Sequence, residues 1–124
     1  MTSRPVLLTF SNQLASPALS VCVFEPDSGR MSWIPFANAV DGTEMGVTGA
    51  CTVDDRVAFV TQGGINILFI LDQKKVEILE TRMLSRTRDP HDLVYKDGAF
   101  YVVSTGTNEI YRLSFDGSKI GEEE

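Results

Sequence analysis

Sliding the chain along itself by 42 residues lays one stretch over another, and this internal repetition restricts the fold more than any other feature. Cys51-Thr-Val-Asp-Asp-Arg-Val-Ala-Phe-Val-Thr-Gln-Gly-Gly-Ile-Asn66 falls on Leu93-Val-Tyr-Lys-Asp-Gly-Ala-Phe-Tyr-Val-Val-Ser-Thr-Gly-Thr-Asn108. Asp55 meets Asp97, Val60 meets Val102, Gly64 meets Gly106 and Asn66 meets Asn108, while Phe59 meets Tyr101 and Leu71 meets Leu113. A unit of this size is one supersecondary element that buries its apolar side by stacking on its neighbours. The units here are short β-branched and aromatic runs between turn residues, without helical periodicity. The expectation is an all-β chain, a β-propeller-like array of four-stranded antiparallel blades.

Three blades are expected: blade one over 5–37, blade two over 46–82 and blade three over 89–124. Blade one has strands at Val6–Ser11, Ala18–Glu25 and Arg30–Phe36, with Pro26-Asp-Ser-Gly29 as a hairpin turn. Blade two has Gly49–Val53, Arg56–Gln62, Ile65–Leu71 and Lys75–Thr81. Blade three has His91–Tyr95, Ala99–Thr105, Glu109–Phe115 and a final piece from Ser118. Asp54-Asp55 and Asp97-Gly98 supply the turns, since Asp bonds its own backbone and Gly accepts positive φ. Val57-Ala-Phe-Val60 and Ile67-Leu-Phe-Ile-Leu71 are apolar at every position, the pattern of strands covered on both faces. Val76-Glu-Ile-Leu-Glu80 alternates, as a partly solvated outer strand does.

The strand count bears on assembly. Blade one is short of an inner strand on this reading, and blade three stops as its outer strand begins. A propeller closes with at least about four blades, so this chain forms an incomplete ring. Its end blades would show apolar faces of a size that soluble monomers rarely expose. Either the sequence belongs to a longer protein or copies self-associate to cover those faces, a two-fold dimer of six blades being the simplest closed form.

A net charge of −6 argues against a nucleic-acid partner, because phosphate binding needs a concentrated basic surface. Arg82, Arg86 and Arg88 are the only local cluster of basic residues, and they read as a solvated connector. No run reaches the length of about 18 apolar residues that a membrane helix needs, and Ser11-Asn12 interrupts the short apolar start. No membrane association and a cytoplasmic location are expected. Cys22 and Cys51 lie in apolar runs without CxxC spacing, and they read as small buried hydrophobes rather than zinc ligands or a disulfide. Glu122-Glu-Glu124 reads as a solvated tail or as the start of a truncated strand.

The segment Asp89 to Gly117 resembles an NHL-type propeller repeat. Pro90-His91, Asp97-Gly98, Tyr101-Val102, Thr105-Gly106, Asn108-Glu-Ile110 and Asp116-Gly117 each find a counterpart in the family pattern. Asp92 stands where the family has Gly, Ser104 where it has Asp, and Glu109 where it has Arg. The resemblance spans one good repeat, one degenerate repeat and a poor first one. It implies a propeller fold of NHL or gluconolactonase-like type and leaves the activity open, because propellers host binding proteins, hydrolases, lyases and scaffolds.

His91 and Asp92 are the residues with the clearest chemical potential: the chain's single histidine and a carboxylate where an inner strand begins, the place at which propellers bind ligands. The plainer reading makes both of them caps of local backbone. The lactonase branch of six-bladed propellers holds a divalent ion with Glu, Asn and Asp oxygens, a set that suits Ca²⁺. Glu44, Asp92 and Asn108 are the candidates here. The second repeat, however, places Gly49 and Ala50 opposite His91 and Asp92, so the expected metal set is none. Asn66 and Asn108 follow glycines and read as turn residues. Ser104 and Thr105 lack a nucleophile elbow, and Trp33 with Phe36 reads as blade-rim packing. The expected function is a repeat module binding a ligand or protein partner, with His91, Asp92, Asn108 and Glu44 as ligand-binding candidates. The alternative is a metal-dependent hydrolase or lactonase whose channel other blades or subunits complete.

Overall fold

The computed structural model describes residues 4–9, 21–33, 46–62, 66–72 and 77–124, in which ten β-strands and no α-helix occur. The first sheet joins β1 (Val6–Thr9), β2 (Val21–Glu25) and β3 (Arg30–Trp33). The second joins β4 (Val47–Val53), β5 (Arg56–Thr61), β6 (Asn66–Asp72) and β7 (Glu77–Leu84). The third joins β8 (Pro90–Lys96), β9 (Ala99–Ser104) and β10 (Glu109–Ser114). Every pairing is antiparallel between strands consecutive in sequence, and no sheet closes on itself. Among the described residues no helix is long and apolar enough to cross a membrane.

Turn chemistry sets the hairpins. Asp97 and Gly98 both take positive φ (50° and 78°), which a two-residue turn between right-twisted strands demands. Asp54 does the same at 56°, and Gly29 (75°) closes the β2–β3 turn by donating its N–H to Glu25 O at 2.8 Å.

Side-chain alternation along β5 and β6 fixes how the sheets stack, because successive residues point to opposite faces. Val57, Phe59, Ile67, Phe69 and Leu71 pack with Val21 and Leu7 of the first sheet. Ala58, Val60, Leu68 and Ile70 pack with Leu93, Phe100, Val102 and Leu113 of the third. The second sheet is therefore covered on both sides, and its continuous apolar runs have that cause. Phe59 and Phe69 stack at 5.1 Å in one core, and Phe100 and Phe115 at 5.4 Å in the other.

The repeat is real, but its register differs from a uniform shift of 42. Val47–Val53 corresponds to Pro90–Lys96, 43 residues on, and each strand carries a bulge at the same place, between Val47 and Gly49 and between Pro90 and Asp92. Thr48 and Gly49, rather than Gly49 and Ala50, thus occupy the positions of His91 and Asp92. The shift reverts to 42 for β6 and β10, because Val60 pairs Leu68 whereas Val103 pairs Ile110, one residue fewer across the loop. A constant shift matches Phe59 to Tyr101, whose side chains point to opposite faces; the structural partner of Phe59 is Val102, buried like it.

One further expectation changes, and of the two readings of the last residues the strand holds. In the first sheet β1 comes nearest to β4, so the side of the stack shared by β4 and β8 does not lack a strand there. Glu122–Glu124 is not a free tail: Glu124 exchanges main-chain hydrogen bonds with Arg112 (2.9 and 3.1 Å), Gly121 N donates to Ser114 O at 2.7 Å, and Ile120 bridges Phe115. The last residues thus extend the third sheet beyond β10, in the position of the fourth strand.

Polar bonds tie the second sheet to the third. Thr48 Oγ1 donates to Pro90 O at 2.6 Å, and the Arg56 guanidinium donates to Gly117 O at 2.8 Å while lying 5.3 Å from the Phe115 ring centre. The connector 85–89 is held from three sides. Asn66 Nδ2 donates to Thr87 O (2.9 Å), and Ser104 Oγ donates to Arg88 O and accepts from Arg88 N. Glu123, 9% exposed, accepts from the main-chain N–H groups of Arg86 and Thr87 and from Thr87 Oγ1. The arginine trio serves this junction: Arg86 lies over Tyr111, Arg82 pairs Glu122 at 3.4 Å, and Arg88 bonds the carbonyls of Ser85 and Thr87.

At Gly49 β4 lies close against β8, since a Cβ there would sit 3.0 Å from Val60 Cγ1 and 3.1 Å from the Asp92 backbone. Gly49→Ala is expected to cost about 1–3 kcal/mol, read by chemical denaturation. Burial pushes the Glu123 carboxyl up, but the Thr87 hydroxyl and the N–H groups of Arg86 and Thr87 outweigh it and hold it below its ordinary value. Because the folded value is depressed, this stabilisation is present above the unfolded-chain pKa and disappears as pH falls through the folded one. Glu123→Gln is expected to lose about 1.5–3 kcal/mol at pH 7 and to flatten the acid limb of a stability–pH curve.

Candidate functional site

The junction between the connector and β8 gathers polar groups at the surface. Asp89 takes a left-handed backbone (φ 51°), uncommon outside glycine, and Thr105 holds it there. Thr105 Oγ1 donates to Asp89 O at 2.6 Å and to Asp89 Oδ2 at 3.0 Å, and Thr105 N donates to the same carbonyl at 3.3 Å. The turn brings Asp89 Oδ1 to 3.2 Å from His91 Nε2, with the two side chains 46% and 52% exposed. Next to them, buried Ser104 meets Thr107 through their hydroxyls at 2.7 Å. Gly106 is obligatory here, because a Cβ would lie 2.8 Å from Arg88 Cβ.

Of the expected site residues, His91 alone enters this group. Its partner is Asp89, two residues back, rather than Asp92. Asp92 Oδ1 accepts the N–H of Leu93 at 2.8 Å, the backbone-capping role, and its negative charge adds to the raised pKa of the Cys51 thiol. Asn108 has φ 56° and donates its N–H to Thr105 O, so it shapes the turn that positions Thr105. Glu44 lies outside the described residues. Asn66, read as a turn residue, is instead a buried anchor for the connector, with Oδ1 lacking a partner among the described residues.

Asp89 and Thr105 escape a search for chemically assertive pairs. Their signal is the juxtaposition Asp89-Pro90, with Asp one of the few residues that tolerates left-handed backbone. The group offers carboxylate acceptors, an imidazole and a hydroxyl on a half-exposed surface, the inventory of a polar recognition site. Among the described residues no three His, Cys, Asp or Glu side chains converge as a metal cage would require. A shallow depression of about 380 Å³ lies at the other end of the third sheet, between Gly98 and Gly121. Its Asp116 is held below the usual carboxylate range by the N–H groups of Ser118 and Lys119, which is turn geometry.

The cysteines are free thiols. Burial pushes Cys51 up to about 11, with the Asp92 charge adding to the effect, and burial raises Cys22 as well. The thiolate is the reactive form, so both should react slowly with iodoacetamide at pH 8 in the native protein and rapidly once it is unfolded. Asp92→Asn is expected to speed Cys51 alkylation several-fold, measured by mass spectrometry of the modified peptide.

Neither a family model nor a curated protein matches this sequence.

Proposed function

We propose that this chain is a propeller-type repeat module that works by binding, its sheets serving as blades and the Asp89–His91–Thr105 surface contacting a small polar ligand or partner. The observation that carries this reading is the two-sided cover of the second sheet, the arrangement of a blade within a stack. The inner-strand bulges repeating at Val47–Gly49 and Pro90–Asp92 support it, as does the resemblance of 89–117 to an NHL-type repeat. His91 is paired with a carboxylate and not with a hydroxyl or thiol nucleophile, which favours recognition over acyl transfer.

Saturation-transfer NMR against small carboxylates, amines and sugars tests the surface. At least one class should show transfer that His91→Ala abolishes, with thermal unfolding unchanged because the side chain is half exposed. Binders indifferent to His91→Ala, or none at all, would remove this surface from consideration. Calorimetric uptake of Ca²⁺ that Asp92→Ala abolishes would replace recognition with metal-assisted hydrolysis.

A further inference from the structure

The third sheet repeats the second with one difference: the face that is covered in the second is open in the third. By the pairing registers, Cys51, Ala58, Val60, Leu68 and Ile70 correspond to Val94, Tyr101, Val103, Ile110 and Arg112. Ala58, Val60, Leu68 and Ile70 of the second sheet are fully buried under the third. The counterparts of Val60 and Leu68, Val103 and Ile110, are 36% and 65% exposed, and Val94, the counterpart of half-buried Cys51, is 54% exposed. Asp92, Lys96 and Arg112 edge this apolar centre, the composition of an interface core with a charged rim.

The structure also shows what covers such a face. In the second sheet the cover is the opposite face of the next sheet, built from Phe100, Val102 and Leu113. The corresponding opposite face of the first sheet carries Val6, Leu8, Cys22, Phe24, Met31 and Trp33, by the registers Val6↔Phe24↔Met31 and Leu8↔Cys22↔Trp33. All six are apolar; Val6 and Met31 are 43% and 44% exposed at its edge, while Cys22 at its centre is buried in the single chain.

We infer that the open face of the third sheet docks on the outer face of the first sheet in a second copy of this chain, head to tail. The inference rests on the blade reading and specifies its partner. Each copy has one face of each kind, so two copies make two identical contacts and close a ring of six sheets, within the usual range for propellers. A face-to-face pairing of two third sheets would leave both first-sheet faces open.

Sedimentation velocity with Ile110→Asp and Met31→Asp tests this, both positions being exposed enough in the single chain that the fold tolerates the change. The wild-type chain of 13.7 kDa should sediment at twice its mass. Each variant should weaken self-association about thirtyfold or more, the scale of an interface hot spot. An equimolar mixture should recover a two-chain species, because the intact third sheet of Met31→Asp meets the intact first sheet of Ile110→Asp. A dimer broken by Ile110→Asp but indifferent to Met31→Asp overturns the head-to-tail contact, as do open polymers of the wild type. A wild-type monomer that unfolds cooperatively overturns the docking and leaves the stacked sheets standing. A chain with no cooperative unfolding overturns the stack together with the docking.

Discussion

Burial of both faces of β5 and β6 is the constraint on which the rest of the molecule depends. A strand written Val-Ala-Phe-Val has no side to give to water, so the second sheet exists only between two neighbours. Phe59 and Phe69 commit one face to the first sheet, and Val60 and Leu68 commit the other to the third. Hydrophobic contact of this kind is strong but non-directional, and it would tolerate sheets sliding over one another.

Directional bonds remove that freedom, and they concentrate where the chain passes from the second sheet to the third. Five connector residues could have been a loose loop. Instead Asn66 reaches them from β6, Ser104 from β9 and Glu123 from the segment beyond β10. A carboxylate buried against the N–H groups of Arg86 and Thr87 is favourable because those main-chain donors would otherwise be unsatisfied, and the Thr87 hydroxyl adds a further bond. The same network carries the Asp89–His91–Thr105 group, which therefore sits on a connector bonded from three sides.

Much of the architecture was legible in the sequence because strand periodicity and turn chemistry are local. The all-β class, the Asp97-Gly98 hairpin and the double-sided burial of β5 and β6 follow from neighbouring residues alone. The register was not legible, because the bulges in β4 and β8 and the unequal β5–β6 and β9–β10 loops offset each other in a single shifted comparison. The role of Glu123 was hidden for another reason: it pairs with residues 36 positions away through main-chain groups that carry no side-chain signature. Among site residues, His91 stood out by rarity, whereas its partner depended on one left-handed residue. That turn brings Asp89 to the imidazole and leaves Asp92, its immediate neighbour, facing elsewhere.

The bulge shared by β4 and β8 has a different consequence in each strand. In β4 the extra residue is Thr48, whose hydroxyl is committed to a bond across to Pro90. In β8 the same backbone irregularity lifts His91 out of the ladder, and its ring meets the Asp89 carboxylate at the surface. Mutation at 91 can therefore alter chemistry without unsettling the scaffold, whereas at 48 it cannot. One repeated kink thus carries a residue tied across the sheets at 48 and an exposed, chemically available one at 91.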